Sequence, residues 1–161
     1  MKHSPLHILL VEDDDPDVVF VRRALAGTGG EHTLHVVRNG EEATRYLSGA
    51  GEFSDRSRFP VPTLVLTDLN MPGMSGLDLL HWLRTNPQHS VIPTIVYSNS
   101  SLDSDIRAAY ELGANSYVVK SNSLADLTAT LRLTFAYWAK CARPEPFTMK
   151  KRRPHHLVSE E

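Results

Sequence analysis

The stretch Thr63-Leu64-Val65-Leu66-Thr67-Asp68-Leu69-Asn70-Met71-Pro72-Gly73-Met74-Ser75-Gly76 decides the fold. Its first five residues are apolar or β-branched with no polar alternation, the pattern of a short strand covered on both faces. That strand delivers one carboxylate, Asp68, at its C-terminal end, and Met71-Pro72-Gly73 comes next with turn chemistry. Strands buried on both faces belong to parallel sheets flanked by helices, so the segments around this one should alternate strand and helix.

They do so in both directions. His7-Ile8-Leu9-Leu10-Val11 is a second buried run, ending in Glu12, Asp13, Asp14 and Asp15. Val18, Val19, Val21, Ala24 and Leu25 then recur at helical spacing, with Asp14 or Asp15 as N-cap, Pro16 in the first turn and Gly29-Gly30 as the stop. Leu34 to Val37 predicts another strand. Asn39-Gly40 reads as a loop before a short helix that starts near Glu41 and is marked by Ala43, Tyr46 and Leu47. Residues from about Gly49 to Pro62 lack periodicity and read as a surface connection. Beyond Asp68, Leu77, Leu79, Leu80 and Leu83 build a helix that stops before Asn86-Pro87. Thr94 to Tyr97 is a strand ending at Ser98, and Ile106, Ala109, Tyr110 and Leu112 make a helix closed by Gly113. Tyr117-Val118-Val119 is a fifth strand ending at Lys120, and a last helix runs from about Ser123 to about Lys140.

Five strands alternating with five helices predict an α/β fold, an open, doubly wound, five-stranded parallel sheet with helices on both faces. Ligands in such sheets sit beyond the carboxyl ends of the strands. The residues at those ends are Glu12, Asp13, Asp68, Ser98 and Lys120.

Composition agrees with one globular domain. The 161 residues are 41% hydrophobic and 22% charged, with a formal net charge of −2. That balance gives no basic field for nucleic acid, and the run Lys150-Lys151-Arg152-Arg153 reads as a solvated tail. Cys141 is the single cysteine, which excludes an intramolecular disulfide and a cysteine-rich metal site. The N-terminal apolar run is too short for a signal peptide or a membrane span, so a cytoplasmic protein with no membrane association is expected. The histidines show no ligand spacing, and no zinc is assigned.

Three carboxylates, a hydroxyl and an ammonium at one sheet edge suit phosphoryl chemistry. Clustered carboxylates repel one another unless a cation offsets them, and a hard divalent ion with oxygen ligands, Mg2+ or alternatively Mn2+, suits a site that also holds phosphate oxygens. A carboxylate can act as nucleophile on phosphorus to give an aspartyl phosphate, with lysine and hydroxyl binding the transferred oxygens. A phosphohydrolase of the haloacid-dehalogenase type also places an aspartate after a buried strand, but it needs a second acid two residues on, where this chain has Asn70. An unphosphorylated pseudo-receiver scaffold is opposed by the intact Asp13, Asp68 and Lys120.

In order and spacing, these pieces resemble the receiver domains of bacterial two-component response regulators, over about residues 6 to 140. The matching motifs are Glu12-Asp13, the stretch Asp68 to Gly76, Ser98 and Lys120. The resemblance implies a flavodoxin-like receiver fold like that of chemotaxis regulators, and a phosphoprotein rather than an enzyme with a separate substrate. It implies Asp68 as phosphoacceptor, with Ser98 and Lys120 binding the phosphoryl oxygens and Ser98 and Tyr117 moving as a switch. Metal would be held by the Asp13 and Asp68 side chains, by the backbone carbonyl of Asn70 and by Glu12 through water. The implied partner is a sensor histidine kinase. The long connection between Tyr46 and Leu64 and the aromatic end of the last helix look like the small single-domain regulators associated with bacterial phytochromes.

This chain departs from the family pattern in two further places. Asn99 comes after the switch hydroxyl where smaller residues are usual and would narrow access for small phosphodonors. Ser121 stands where the family commonly has a cis-proline, so the loop after Lys120 either holds a strained peptide or differs in shape.

Residues 1–141 are expected to be the receiver domain and 142–161 a basic, flexible C-terminal tail, too short for an output domain. Output would then run through protein contacts. On the last helix, Leu124, Leu127 and Leu131 would pack on the core, and the later Phe135, Tyr137 and Trp138 would leave aromatic surface exposed. A homodimer through the last helix and fifth strand is the expectation, the competing one being a C-terminal segment that folds back with Phe147 as anchor.

Overall fold

The computed structural model describes residues 4–145. The order is β1 (His7–Val11), α1 (Asp15–Ala26), β2 (Thr33–Val37), α2 (Gly40–Ser48), β3 (Leu64–Thr67), α3 (Gly76–Thr85), β4 (Thr94–Ser98), α4 (Asp103–Glu111), β5 (Ser116–Val119) and α5 (Leu124–Lys140). The five strands form one sheet in the order β2-β1-β3-β4-β5, and every pairing is parallel. The chain therefore winds outward in opposite directions from the β1–β3 pair, which puts helices on both faces.

Strand alternation sorts the core into these faces. Ile8, Leu10, Leu64, Leu66, Ile95 and Tyr97 point to α1 and α5, where they meet Val18, Val21, Leu127, Leu131 and Phe135. Leu9, Val11 and Val65 point the other way, to Ala43 and Leu47 of α2 and Leu79 and Leu83 of α3. Val96 joins Leu80 and Ala109 under α3 and α4.

Several boundaries differ from those the sequence suggests. Helix α1 ends at Ala26 with Gly27 as its C-cap, not at Gly29-Gly30; the Gly27 N–H donates back to Arg23 and Ala24 carbonyls. Arg132 of α5 lies where a Gly27 side chain would go, so α5 packs closely on this end of α1. Asn39-Gly40 is not a free loop: the Asn39 side chain accepts the Glu42 N–H at 2.8 Å and caps α2.

The connection from Gly49 to Pro62 is more than surface. It contains a 3-10 turn at Gly51–Ser54 that buries Phe53; Phe59 packs edge-on against Phe53 and Tyr46, and Phe53 lies tilted against Tyr46. Arg56 donates to the Tyr46, Leu47 and Phe59 carbonyls, closing the end of α2. Isolated aromatic anchors and one guanidinium hold this segment, and neither leaves a periodic signature.

On α5 the buried stripe is Leu127, Leu131 and Phe135. Leu124, in the first turn, stays half-exposed, which corrects its assignment to the core. Phe135 is fully buried and Trp138 packs against the core, so of the late aromatics Tyr137 alone is exposed, at 65%, one turn from Leu133 at 73%. All peptide bonds among the described residues are trans, Lys120–Ser121 included. After α5 the Arg143 guanidinium donates to the Trp138 carbonyl and, at 3.1 Å, to that of Ser4. Phe147 and Lys150 to Arg153 lie outside the described residues. Among the described residues no helix is long and apolar enough to cross a membrane.

Candidate functional site

Val11 of β1 pairs with Thr67 of β3, so the residues next in the chain, Glu12-Asp13 and Asp68, emerge side by side. Ser98 pairs with Val119, and the Lys120 backbone N–H donates to the Ser98 carbonyl at 2.8 Å, which brings the ends of β4 and β5 to the same edge. The structure thus gathers Glu12, Asp13, Asp68, Ser98 and Lys120 at the carboxyl ends of four strands. Asp14 and Asp15 stay outside: Asp14 caps α1 without a side-chain bond, and Asp15 pairs with Arg38 at the surface.

Glu12, Asp68 and Ser98 are buried, whereas Asp13 is exposed. One oxygen from each of Glu12, Asp13 and Asp68 lies within 4.8 Å of the others. Asp68 turns one carboxylate oxygen back to the Leu69 N–H at 2.7 Å, with the Asn70 N–H at 3.4 Å, and the other toward the Lys120 ammonium at 3.2 Å. Asn70 itself is exposed. The turn behind Asp68 is backed by Gly76, whose N–H donates to the Leu69 carbonyl at 2.8 Å. A Cβ on Gly76 would sit 2.0 Å from the Asp68 carbonyl oxygen, so only glycine lets the start of α3 approach this closely.

The Lys120 side chain is 4% exposed. Its ammonium donates to Glu12 at 2.8 Å, to Asp17 at 2.7 Å and to Asp68 at 3.2 Å, and lies 5.0 Å above the Tyr97 ring. Burial alone would pull this amine down, but the contacts with Asp17, Glu12 and Asp68 outweigh it and hold the ammonium above its ordinary value. Burial pushes the Glu12 carboxyl up to about 7, even though Lys120 works in the opposite direction. One ammonium against three contacting carboxylates, with Asp13 adjacent, leaves the site in surplus negative charge. An all-oxygen donor set with that surplus fits a hard divalent cation.

Toward β4 and β5, the Ser98 hydroxyl accepts the Ser100 N–H at 3.2 Å, and the half-buried Tyr117 donates its hydroxyl to the Ser100 carbonyl at 2.8 Å. Ser98 and Tyr117 therefore hold the same short loop, and Asn99 between them is exposed.

Asp17 is the site residue that sequence reasoning missed. It stands in the first turn of α1 among several acids, and nothing in the sequence sets it apart from Asp14 and Asp15.

The chain matches the response regulator receiver domain over residues 8–132. It is 35% identical to response regulator Rcp1 of Synechocystis sp. across 84% of this chain and 90% of that protein. A solved Mn(2+)-bound form of Rcp1 superposes with a TM-score of 0.80 at 34% identity, covering 88% of this chain and all of that one. A phosphorylated cyanobacterial phytochrome response regulator, RcpA, gives 0.81 at 34% identity, again over 88% and 100%. The bacteriophytochrome response regulator RtBRR gives 0.69 at 32% identity, over 89% and 84%. A buried aspartate at the end of β3, faced by a lysine and by two acids from β1, and a family match spanning most of the chain lead to one conclusion: this protein belongs to the response regulator receiver domain family.

Proposed function

We propose that this receiver takes a phosphoryl group from a sensor histidine kinase onto Asp68 and that the kinase is of the phytochrome type. The observation that carries the first part is the Asp68 carboxylate oxygen 3.2 Å from the Lys120 ammonium, beside the oxygens of Glu12 and Asp13. The Asp68 oxygen attacks phosphorus, the phosphorus–nitrogen bond of the donor phosphohistidine breaks, and the electron pair leaves with the imidazole. Lys120 and the Ser98 hydroxyl bind the transferred oxygens. The Asp13 and Asp68 side chains, the Asn70 carbonyl and Glu12 through water would hold Mg2+ or Mn2+. Such an ion offsets phosphate charge when bound. Tyr117 and Ser98 form the switch, since both are tied to Ser100. Beyond accepting the group and slowly releasing it to water, the chain needs no separate substrate.

The phytochrome assignment is supported by the likeness to RcpA and RtBRR. Residues 1–141 act as the receiver unit and 142–161 as its tail, and signalling runs through protein contacts in the cytoplasm. A homodimer through α5 and β5 is supported by the exposed Leu133, Tyr137 and Val119. The deciding experiment is transfer of label from a phosphorylated phytochrome histidine kinase: the wild type should take label in Mg2+. Label retained by Asp68→Ala, or transfer indifferent to chelator, would overturn the acceptor or the metal respectively.

A further inference from the structure

An ammonium has three N–H donors, and all three donors of Lys120 are taken by carboxylates. The shortest contact, 2.7 Å, goes to Asp17, and the longest, 3.2 Å, goes to Asp68. The Asp17 side chain is 13% exposed, so water competes little for this pair. Asp17 also stands apart from the oxygen cluster of Glu12, Asp13 and Asp68. Its tie to Lys120 therefore does not belong to the metal set.

We propose that Asp17 is a positioning residue for phosphoryl capture: together with Glu12 it occupies two donors of Lys120 and aims the third at Asp68. This rests on Asp68 being the phosphoryl acceptor. A free lysine side chain samples many rotamers, and two anchored N–H groups remove that freedom before the reaction. When the Asp68 oxygen–phosphorus bond forms and the donor's phosphorus–nitrogen bond breaks, the Asp68 carboxylate loses its charge, the electron pair leaves with the imidazole, and the phosphoryl oxygens bring their own negative charge to the place Asp68 held. The third N–H of Lys120 passes to those oxygens while its bonds to Glu12 and Asp17 stay in place. Lys120 remains protonated throughout.

The charge on Asp17 works against its own geometry, because it adds one negative charge beside an incoming anion. Position and charge can thus be separated. Asp17→Asn keeps an acceptor oxygen and removes the charge; Asp17→Ala removes both and leaves a buried N–H without a partner.

The test measures, by calorimetry, the binding of beryllofluoride, a phosphoryl mimic, at saturating Mg2+, and the binding of Mg2+ alone. All measurements are made at a temperature where circular dichroism shows each variant folded. Asp17→Ala should bind the mimic about tenfold more weakly, the loss of one aimed hydrogen bond to a charged group, and Asp17→Asn should match or exceed the wild type. Mg2+ affinity should stay within about threefold in both, since the metal set is untouched. A residue needed only for folding would move none of these constants. Alanine binding at the wild-type level, a parallel fall in both variants, or a loss that tracks Mg2+ affinity would each overturn the proposal. Should the alanine chain fail to fold, the asparagine variant decides alone, and weaker binding than wild type overturns the positioning role. Failure of the acceptor reading is distinct: there the wild type takes no beryllofluoride, or Asp68→Asn still does.

Discussion

Replacing Lys120 with methionine keeps the length of the side chain and removes the ammonium that pairs with Glu12, Asp17 and Asp68. Breaking a buried ion pair from one side leaves uncompensated charge and costs about 3–5 kcal/mol. For a chain of this size that lowers the melting temperature by roughly 6–20 °C. The loss should depend on pH in a defined sense. Burial raises the Glu12 carboxyl from 4.5 to about 7 in the folded state, so between those values the folded chain binds more protons than the unfolded one. Stability therefore falls as pH rises through that window in the wild type. Without Lys120, which lowers the Glu12 value, the window extends further upward. The gap between variant and wild type is then widest above pH about 7 and narrows as Glu12 takes up its proton. Mg2+ should narrow it as well, by neutralising the same acids. Melting curves in chelator at about pH 8 and about pH 5.5, and at about pH 8 with Mg2+, are sufficient. A loss that is equal in all three conditions would mean that Lys120 acts through packing alone.

Protons and metal compete for the same acids, so Mg2+ affinity should fall as Glu12 protonates, by up to about tenfold between pH about 8 and about 6, and titration calorimetry at several pH values would show it. Phe135→Ala should cost about 3–5 kcal/mol in urea unfolding, because the ring is fully buried between α5 and the sheet; a loss under about 1 kcal/mol would place it outside the core. If α5 and β5 form a homodimer, light scattering should find Leu133→Glu monomeric where the wild type is not, and circular dichroism should find the variant folded, because Leu133 is 73% exposed and packs on none of its own core. A dimer that survives Leu133→Glu would move the interface elsewhere.

Most strands were legible because a strand buried on both faces leaves a run of apolar residues that tolerates little else. His7–Val11 and Thr94–Ser98 lie where their runs predict. The end of α1 and the segment after α2 were not, and the physical reasons differ. Gly27, which caps α1, packs against Arg132 of α5, more than 100 residues away in the chain, and no local signal carries that contact. The segment from Gly49 to Pro62 is held by Phe53, Phe59 and Arg56 acting one by one on α2, an arrangement with no period to detect.

The site divides along a similar line. Glu12, Asp13, Asp68, Ser98 and Lys120 sit directly at strand ends and can be found from the polar residue that closes each apolar run, because a parallel sheet brings all its carboxyl ends to one edge. Asp17 sits inside a helix, and among Asp13, Asp14, Asp15 and Asp17 its type carries no distinction. What selects it is direction. The chain turns from β1 into α1 across the open edge of the sheet, and the first turn of that helix points Asp17 at the buried Lys120 ammonium while Asp15 faces Arg38 in solvent. Lys120 is a two-sided anchor for the same reason: it emerges from the far end of the sheet order yet reaches Glu12 and Asp17, which β1 delivers from near its centre. A single ammonium thereby joins the loop after β5, the start of α1 and the end of β3, so a change of charge at Asp68 acts on a contact that Glu12 and Asp17 share.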